Sequence, residues 1–385
     1  MNPFDLDVLI WPVMAIFFIT LIISFWFTKW PAFSIFVAVL KAGIFLGYFS
    51  LVFDGTYTFL DDLSYLEGGN VLLLEGVGIT NLAENWGFLR IIGRGDHFVY
   101  YLYNAYAFRL FGAGYFSPVA LNVLLTVAIA YYGAKLAVVE FGMGKQMSKV
   151  FFLFLLLHPD ILAWSNVMNG KDILVLLLHV LLLKAVSIYL HGQIQKAFVV
   201  AIPIVFVLLF LRFYVPVLFL VALIFGNLLM KQRGGIKYFL FSCGFTVLAF
   251  LWIGEHGVQY AISTIEENLV NPIYGFIRIL LTPIPFHTEE NYAFLNFSAL
   301  IHWTFIPFFV FGLWRVWFMR TPFSIFFIAY FLVFMSLYAV FGELQGPRHR
   351  VQLDYAWAIF QFIGIIVVFN VKESKVRDPL KLAAT

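Results

Sequence analysis

Two adjacent carboxylates, Asp61 and Asp62, are the residues best placed to do chemistry in this chain. They lie in the run Phe59-Leu60-Asp61-Asp62-Leu63-Ser64-Tyr65 and open a polar loop after a long apolar stretch. A carboxylate at such a boundary can take the proton of a hydroxyl or amide nucleophile as it attacks an electrophilic carbon. Two neighbouring acids also repel one another, which raises the pKa of at least one of them. A solvated loop start with no chemical role has the same residues, and on spacing alone both readings stay open.

Three further groups carry polar chemistry. In Arg94-Gly95-Asp96-His97, Asp96 and His97 can orient an acceptor or hold a metal, and Arg94 can meet a phosphate. The same residues can simply cap an interfacial helix. From His158-Pro159-Asp160 to Asn169-Gly170-Lys171-Asp172, a helix breaks at Pro159, dips through Trp164, Ser165, Asn166 and Asn169, and re-enters at Lys171-Asp172. Broken backbone at membrane depth is tolerated where it lines a cavity. Lys171 beside a helix N-terminus makes an anion site; the alternative is a plain Lys171–Asp172 salt bridge at the interface. In Gly346-Pro347-Arg348-His349-Arg350, two guanidinium groups flank a histidine and form a natural clamp for a phosphate or diphosphate. Arg212, followed by Tyr214, ends a helix on the same side and joins that anion site.

Lys41 is a charge inside an apolar span, by default a functional hint. His179, His191 and His302 read as structural. No His/Asp/Glu spacing forms a metal motif, so no metal ligand is assigned and a divalent cation stays an open question.

The elements that position these groups are membrane helices. Hydrophobic residues make up 63% of the chain and charged residues 12%, with a mean hydropathy of +0.93, far from a soluble domain. A net charge of +3 without basic runs excludes nucleic acid as a partner and leaves membrane lipids. The single cysteine, Cys243, excludes an internal disulfide. The N-terminus lacks the basic region of a cleavable signal, so the first apolar run is expected to be retained.

At roughly 20 apolar residues per span, the sequence predicts an all-α polytopic membrane protein with about eleven transmembrane helices. They fall near 8–27, 32–53, 117–139, 149–166, 172–190, 197–212, 213–230, 237–254, 301–319, 323–342 and 354–371. Residues 1–385 form one integral membrane domain. A first outer loop spans 54–116, with an interfacial helix near Phe98–Phe111, and a second spans 255–300. One set of connections carries Lys29, Lys145, Lys149, Lys196, Lys231, Arg233, Lys237 and Arg320, and the tail adds more lysines. The opposite set holds most of the acids. The positive-inside rule then puts the C-terminus in the cytoplasm and the N-terminus and both long loops outside.

These residues together resemble the GT-C glycosyltransferases, in particular the protein-mannosyltransferase-like branch and bacterial polysaccharide members. Asp61-Asp62-Leu63-Ser64-Tyr65 is similar to the Asp-(Glu/Asp)-x-x-Tyr that opens their first outer loop. His97-Phe98 through Phe108-Arg109-Leu110-Phe111-Gly112 resembles their interfacial segment, although the prolines expected after the histidine are missing. His158-Pro159 through Lys171-Asp172, Leu211-Arg212-Phe213-Tyr214, Pro283-Ile284-Pro285-Phe286 and the Arg348/Arg350 loop match further motifs in order along most of the chain.

The resemblance implies a GT-C-like fold and a transferase in a bacterial inner membrane. It would use a polyprenyl-phosphate-linked sugar as donor and an envelope glycan or lipid as acceptor. It also implies Asp61 as the catalytic base, with Asp62 as alternative or helper, and Tyr65 on the acceptor side. Arg94, Asp96, His97, Lys171, Asp172, Arg212, Arg348 and Arg350 would bind substrate. A polymerase or ligase of oligosaccharide repeat units is the nearest competing class. A transporter expects repeated broken or charged helices near the midplane, and here the charges gather at one face.

Overall fold

In hydrocarbon a chain must satisfy its backbone N–H and C=O groups within each segment, so apolar runs of this length fold as helices. The computed structural model describes residues 3–55, 59–93, 97–230, 271–288 and 290–371, and these contain helices and connections but no strand. In chain order the helices are α1 (Leu6–Thr28), α2 (Pro31–Gly47, prolonged by a π turn over Tyr48–Val52), α3 (Leu60–Leu74), α4 (Trp86–Ile92), α5 (Val99–Phe111), α6 (Phe116–Phe141), α7 (Lys145–Leu156) and α8 (Pro159–Val167). There follow α9 (Asp172–Leu190), α10 (Ile194–Leu209), α11 (Tyr214–Leu229), α12 (Pro272–Leu281), α13 (Asn296–Met319), α14 (Pro322–Val340), α15 (Pro347–Arg350) and α16 (Asp354–Val368).

Among the described residues, seven segments are long and apolar enough to cross a membrane: α1, α2 with its π turn, α6, α9, α13 with the turn before it, α14, and α15 to α16. The chain is therefore an all-helical, polytopic membrane protein. The span expected at 149–166 is two helices, α7 and α8, bent by 41°. Proline at the first position of α8 lacks the N–H that would continue α7 and starts the new helix in its own direction. The spans expected at 197–212 and 213–230 are α10 and α11, each of 16 residues and shorter than one perpendicular crossing requires. The span expected at 237–254, Cys243, Arg94, Asp96 and the first part of the second outer loop, 255–270, lie outside the described residues.

The short turns give the bundle two unlike ends. At one, the Phe4 ring lies 5.0 Å from Phe116 and 5.8 Å from Phe53, and the Trp11 indole donates to the Leu110 carbonyl at 2.8 Å. The start of α1, the exit of α2, the end of α5 and the start of α6 therefore share that end. At the other, Phe27 stacks on Phe152 at 4.6 Å and the Lys149 ammonium lies 5.3 Å from the Trp30 ring. Lys29, which follows α1, and Lys149 lie at this end.

The stretch 54–116 is not an irregular polar loop. Most of it is helix, α3 to α5, with α3 packed on α5 and α5 on α6. Tyr100, Tyr101, Asn104, Ala105 and Phe108 are all buried, so α5 is covered by protein on most sides rather than lying as an amphipathic helix with one open face. Lys41, inside α2, is buried and donates to Thr126 Oγ1 of α6 at 2.7 Å, turning inward rather than snorkelling to a membrane surface.

The tightest helix pair is α13 against α16. A Cβ at Gly312 would collide with the Phe360 carbonyl, and one at Gly364 with the Phe308 carbonyl. Small residues let membrane helices approach to backbone contact, where dispersion replaces the hydrophobic drive that lipid does not supply. This contact anchors the segment immediately after Arg348.

Candidate functional site

Four separate pieces of chain meet at the end of the bundle where α2 exits. The first turn of α3 brings Asp61 and Asp62, and the start of α9 brings Lys171 and Asp172. The joint between α10 and α11 brings Arg212, and α15 brings Arg348 and His349.

Asp172 is the hub. It is 1% exposed, and both its oxygens are engaged. Oδ1 accepts from Arg212 Nη2 at 3.0 Å and Gln352 Nε2 at 2.7 Å, and Oδ2 accepts from Arg348 Nε at 3.0 Å. A buried carboxylate is tolerable only with such partners. Arg348 then reaches across with Nη1 to Asp61 Oδ2 at 3.0 Å. One guanidinium thus joins a buried carboxylate to one whose side chain is 55% exposed. Arg348 Nη2 has no hydrogen-bond partner among the described residues. Arg212 Nη1 lies 3.4 Å from His349 Nε2.

Lys171 is not paired with Asp172 in a simple salt bridge. Its ammonium lies 5.6 Å from the Tyr65 ring, and no carboxylate among the described residues is within ion-pair range. Burial, with the positive charges of Arg212 and Arg348, brings its pKa down to about 7 against the pull of Asp172 and Asp61. The Tyr65 ring stands edge-on to Tyr100 at 4.8 Å and Tyr101 at 5.2 Å, and burial raises the pKa of its hydroxyl.

The two adjacent acids have different environments. Asp62 is buried, and Oδ1 accepts the Phe59 N–H at 2.6 Å, closing the first turn of α3 as a helix cap. Its Oδ2 accepts from the Tyr115 hydroxyl at 2.5 Å. Burial raises its pKa to about 6, opposed by the bonds from Tyr115 and Phe59. One of the two acids does have a raised pKa, but its cause is burial rather than repulsion by its neighbour. Asp61 is the acid left facing outward.

A buried polar network fixes this arrangement from below. Asn169 Nδ2 donates to the Asp62 carbonyl at 3.1 Å and to Asn104 Oδ1 at 2.8 Å, and its Oδ1 accepts from Tyr100 at 3.1 Å. Asn122 accepts from Tyr103 at 2.8 Å and donates to the Met168 and Gly170 carbonyls at 3.3 and 3.2 Å. Two carbonyls of the broken backbone between α8 and α9, those of Met168 and Gly170, are therefore satisfied by one side chain of α6.

The expected Arg348/Arg350 clamp does not form. Arg350 is 2% exposed and turns the other way, donating to Asp160 Oδ2 at 3.0 Å and to the Thr282 carbonyl, with His302 Nε2 at 3.2 Å. Residues two apart on a helix project about 200° from one another, so a single turn cannot aim both at one ligand.

The structure thus brings together Asp61, Tyr65, Lys171, Asp172, Arg212 and Arg348. It places Asp62 beneath them and Arg350 in a different cluster. The His97 ring lies 6.3 Å from the Phe213 ring. Sequence reasoning missed Gln352, Tyr115, Asn104 and the support role of Asn122. A polar side chain within an apolar run, such as Asn104 or Asn122, was the available signal.

No family model, curated protein or solved structure matches the chain.

Proposed function

We propose that this protein is a GT-C-like glycosyltransferase. It moves a sugar from a polyprenyl-phosphate-linked donor to an envelope glycan or lipid acceptor at the outer face of a bacterial inner membrane. The observation that carries this reading is the single guanidinium of Arg348 spanning buried Asp172 and half-exposed Asp61, with Arg212 and Lys171 beside it. Three cations face two carboxylates there, which favours an anion of the lipid-phosphate kind.

The finer topology goes with the proposal. About eleven spans would count the bent pair once, treat α10 and α11 as short spans and include 237–254. The N-terminus would then lie outside and the C-terminus in the cytoplasm.

In the proposed reaction the acceptor oxygen bonds to the anomeric carbon and the bond from that carbon to the phosphate oxygen breaks. The acceptor proton passes to Asp61, and polyprenyl phosphate leaves with an added negative charge. Arg348 and Lys171 stabilise that charge. Without donor, Arg348 holds Asp61 in an ion pair. A phosphate on Arg348 competes for the same guanidinium and releases Asp61 beside the acceptor. Asp172, with both oxygens engaged, orients the two arginines and takes no proton.

A donor phosphodiester keeps one negative charge from acid to mild base, so the pH dependence of donor binding falls on the protein. Bound anion favours protonated Lys171, and that form is lost as pH rises through about 7. Donor KM is therefore expected to be flat below pH 7 and to rise above it, whereas Lys171→Arg stays flat through pH 9. Steady-state kinetics in detergent or proteoliposomes reads this directly. An identical slope in Lys171→Arg removes Lys171 from the donor site.

A further inference from the structure

We propose that His158, Asp160 and Asp354 form a buried site for a first-row divalent cation, separate from the Asp61–Asp172 site. One ligand atom from each lies within 4.8 Å of the others, and all three residues are buried at 1, 2 and 0% exposure. They come from the break between α7 and α8 and from the first residue of α16, so they are far apart in the chain.

The independent observation is what these side chains lack. His158 Nδ1, Asp160 Oδ1 and both oxygens of Asp354 are buried without a hydrogen-bond partner. Native interiors leave few such atoms, and each needs a physical reason. One atom from each residue gives a nitrogen and two oxygens, the three-protein-ligand set of a four-coordinate ion with one further position.

The surroundings fix the right form of each ligand. His158 Nε2 lies 3.0 Å from Gln361 Oε1, an atom that can only accept. The ring proton therefore sits on Nε2, and Nδ1 presents its lone pair, the tautomer a metal-bound imidazole requires. Asp160 gives Oδ2 to Arg350 at 3.0 Å, with His302 at 3.7 Å, and keeps Oδ1 free. Charge points the same way: two buried carboxylates share one guanidinium, and Asp354 has no counter-charge of its own. Ligands about 2.1 Å from a tetrahedral ion lie about 3.4 Å apart, so the cluster needs to close by roughly an ångström. Imidazole with two carboxylates suits zinc or manganese better than magnesium or calcium.

Such an ion would tie the α7–α8 break to the start of α16 and so hold the 346–354 segment that carries Arg348. That is a positioning role, and the binding site does not depend on the transferase reading.

The test uses full-length protein in detergent, stripped with a chelator, reloaded with Zn²⁺ or Mn²⁺, desalted and measured by plasma mass spectrometry. Wild type and Asp61→Asn are expected to retain about one ion per chain. Asp354→Asn and His158→Gln are expected to lose it, and reloading should raise the thermal midpoint of wild type and Asp61→Asn but not of these two variants. Wild type without bound metal, or variants that retain it fully, overturns the site. If the variants aggregate, the Mn²⁺ form of wild type answers alone through spin-echo spectroscopy. One coupled imidazole nitrogen supports the site, and none overturns it.

Discussion

Replacing Asp61 by Asn is expected to lower turnover by about 10²–10⁴-fold, the range for loss of a positioned general base, while the protein still folds. The two halves of that expectation rest on different facts. Asp61 is more than half exposed, and its one charged partner, Arg348, keeps a second carboxylate in Asp172. An ion pair with so wet a partner contributes about 0–1 kcal/mol, so the fold loses little. The asparagine amide cannot take the acceptor proton, and it holds Arg348 less firmly than a carboxylate does, so the donor phosphate meets no greater competition for that guanidinium. A fall in kcat with donor KM nearly unchanged is therefore the expected pattern, read in a purified assay. Asp62→Asn separates the neighbours: it keeps an acceptor for the Phe59 N–H and is expected to retain far more activity. Equal losses in the two variants would remove the distinction between base and cap.

Asp172→Asn should do the reverse and strike stability. The carboxylate is buried and neutralises Arg212 and Arg348, whose side chains are 13% and 14% exposed. Removing one partner of a buried ion network leaves uncompensated charge and costs about 3–5 kcal/mol. Arg212 would then keep His349 and the Tyr214 ring but no carboxylate among the described residues, and Arg348 would lean on exposed Asp61. A marked fall in thermal midpoint, measured in detergent by fluorescence-detected size exclusion, is expected. Arg212→Gln in the Asp172→Asn background should recover part of that loss by removing the orphaned charge. No recovery would mean that the loss comes from packing or from the Gln352 bond.

Much of the site was legible because the bilayer makes polar residues conspicuous. Lys171, Asp172, Arg212 and Arg348 all flank apolar runs, and alternating spans bring their helix ends to one side. The helix break at Pro159 follows from proline's missing donor. Partner choice was not legible. Asp172 reads as half of a salt bridge with its neighbour Lys171, yet its partners come from the α10–α11 joint and from 348 and 352. Nothing local in a sequence records a contact between segments that distant.

The Arg348/Arg350 pair reads as a clamp only if the segment is extended. Pro347 instead starts a helical turn, which sends the two guanidinium groups apart. The same local geometry divides Asp61 from Asp62, one outward and one folded back on its own helix start. Asp354 was the clearest unused signal, a carboxylate opening an apolar run. Its companions His158 and Asp160 lie too far away for any spacing rule to join them.

The most direct test of the transferase account is mass spectrometry of polyprenyl-linked lipids in cells lacking the protein, beside an Asp61→Asn strain. The account predicts the same result in both: a single-sugar polyprenyl-phosphate carrier accumulates, and the envelope glycan or lipid lacks one residue. Complete repeat units building up on diphosphate carriers would point to a polymerase instead, and an unchanged lipid pool would contradict the transferase outright.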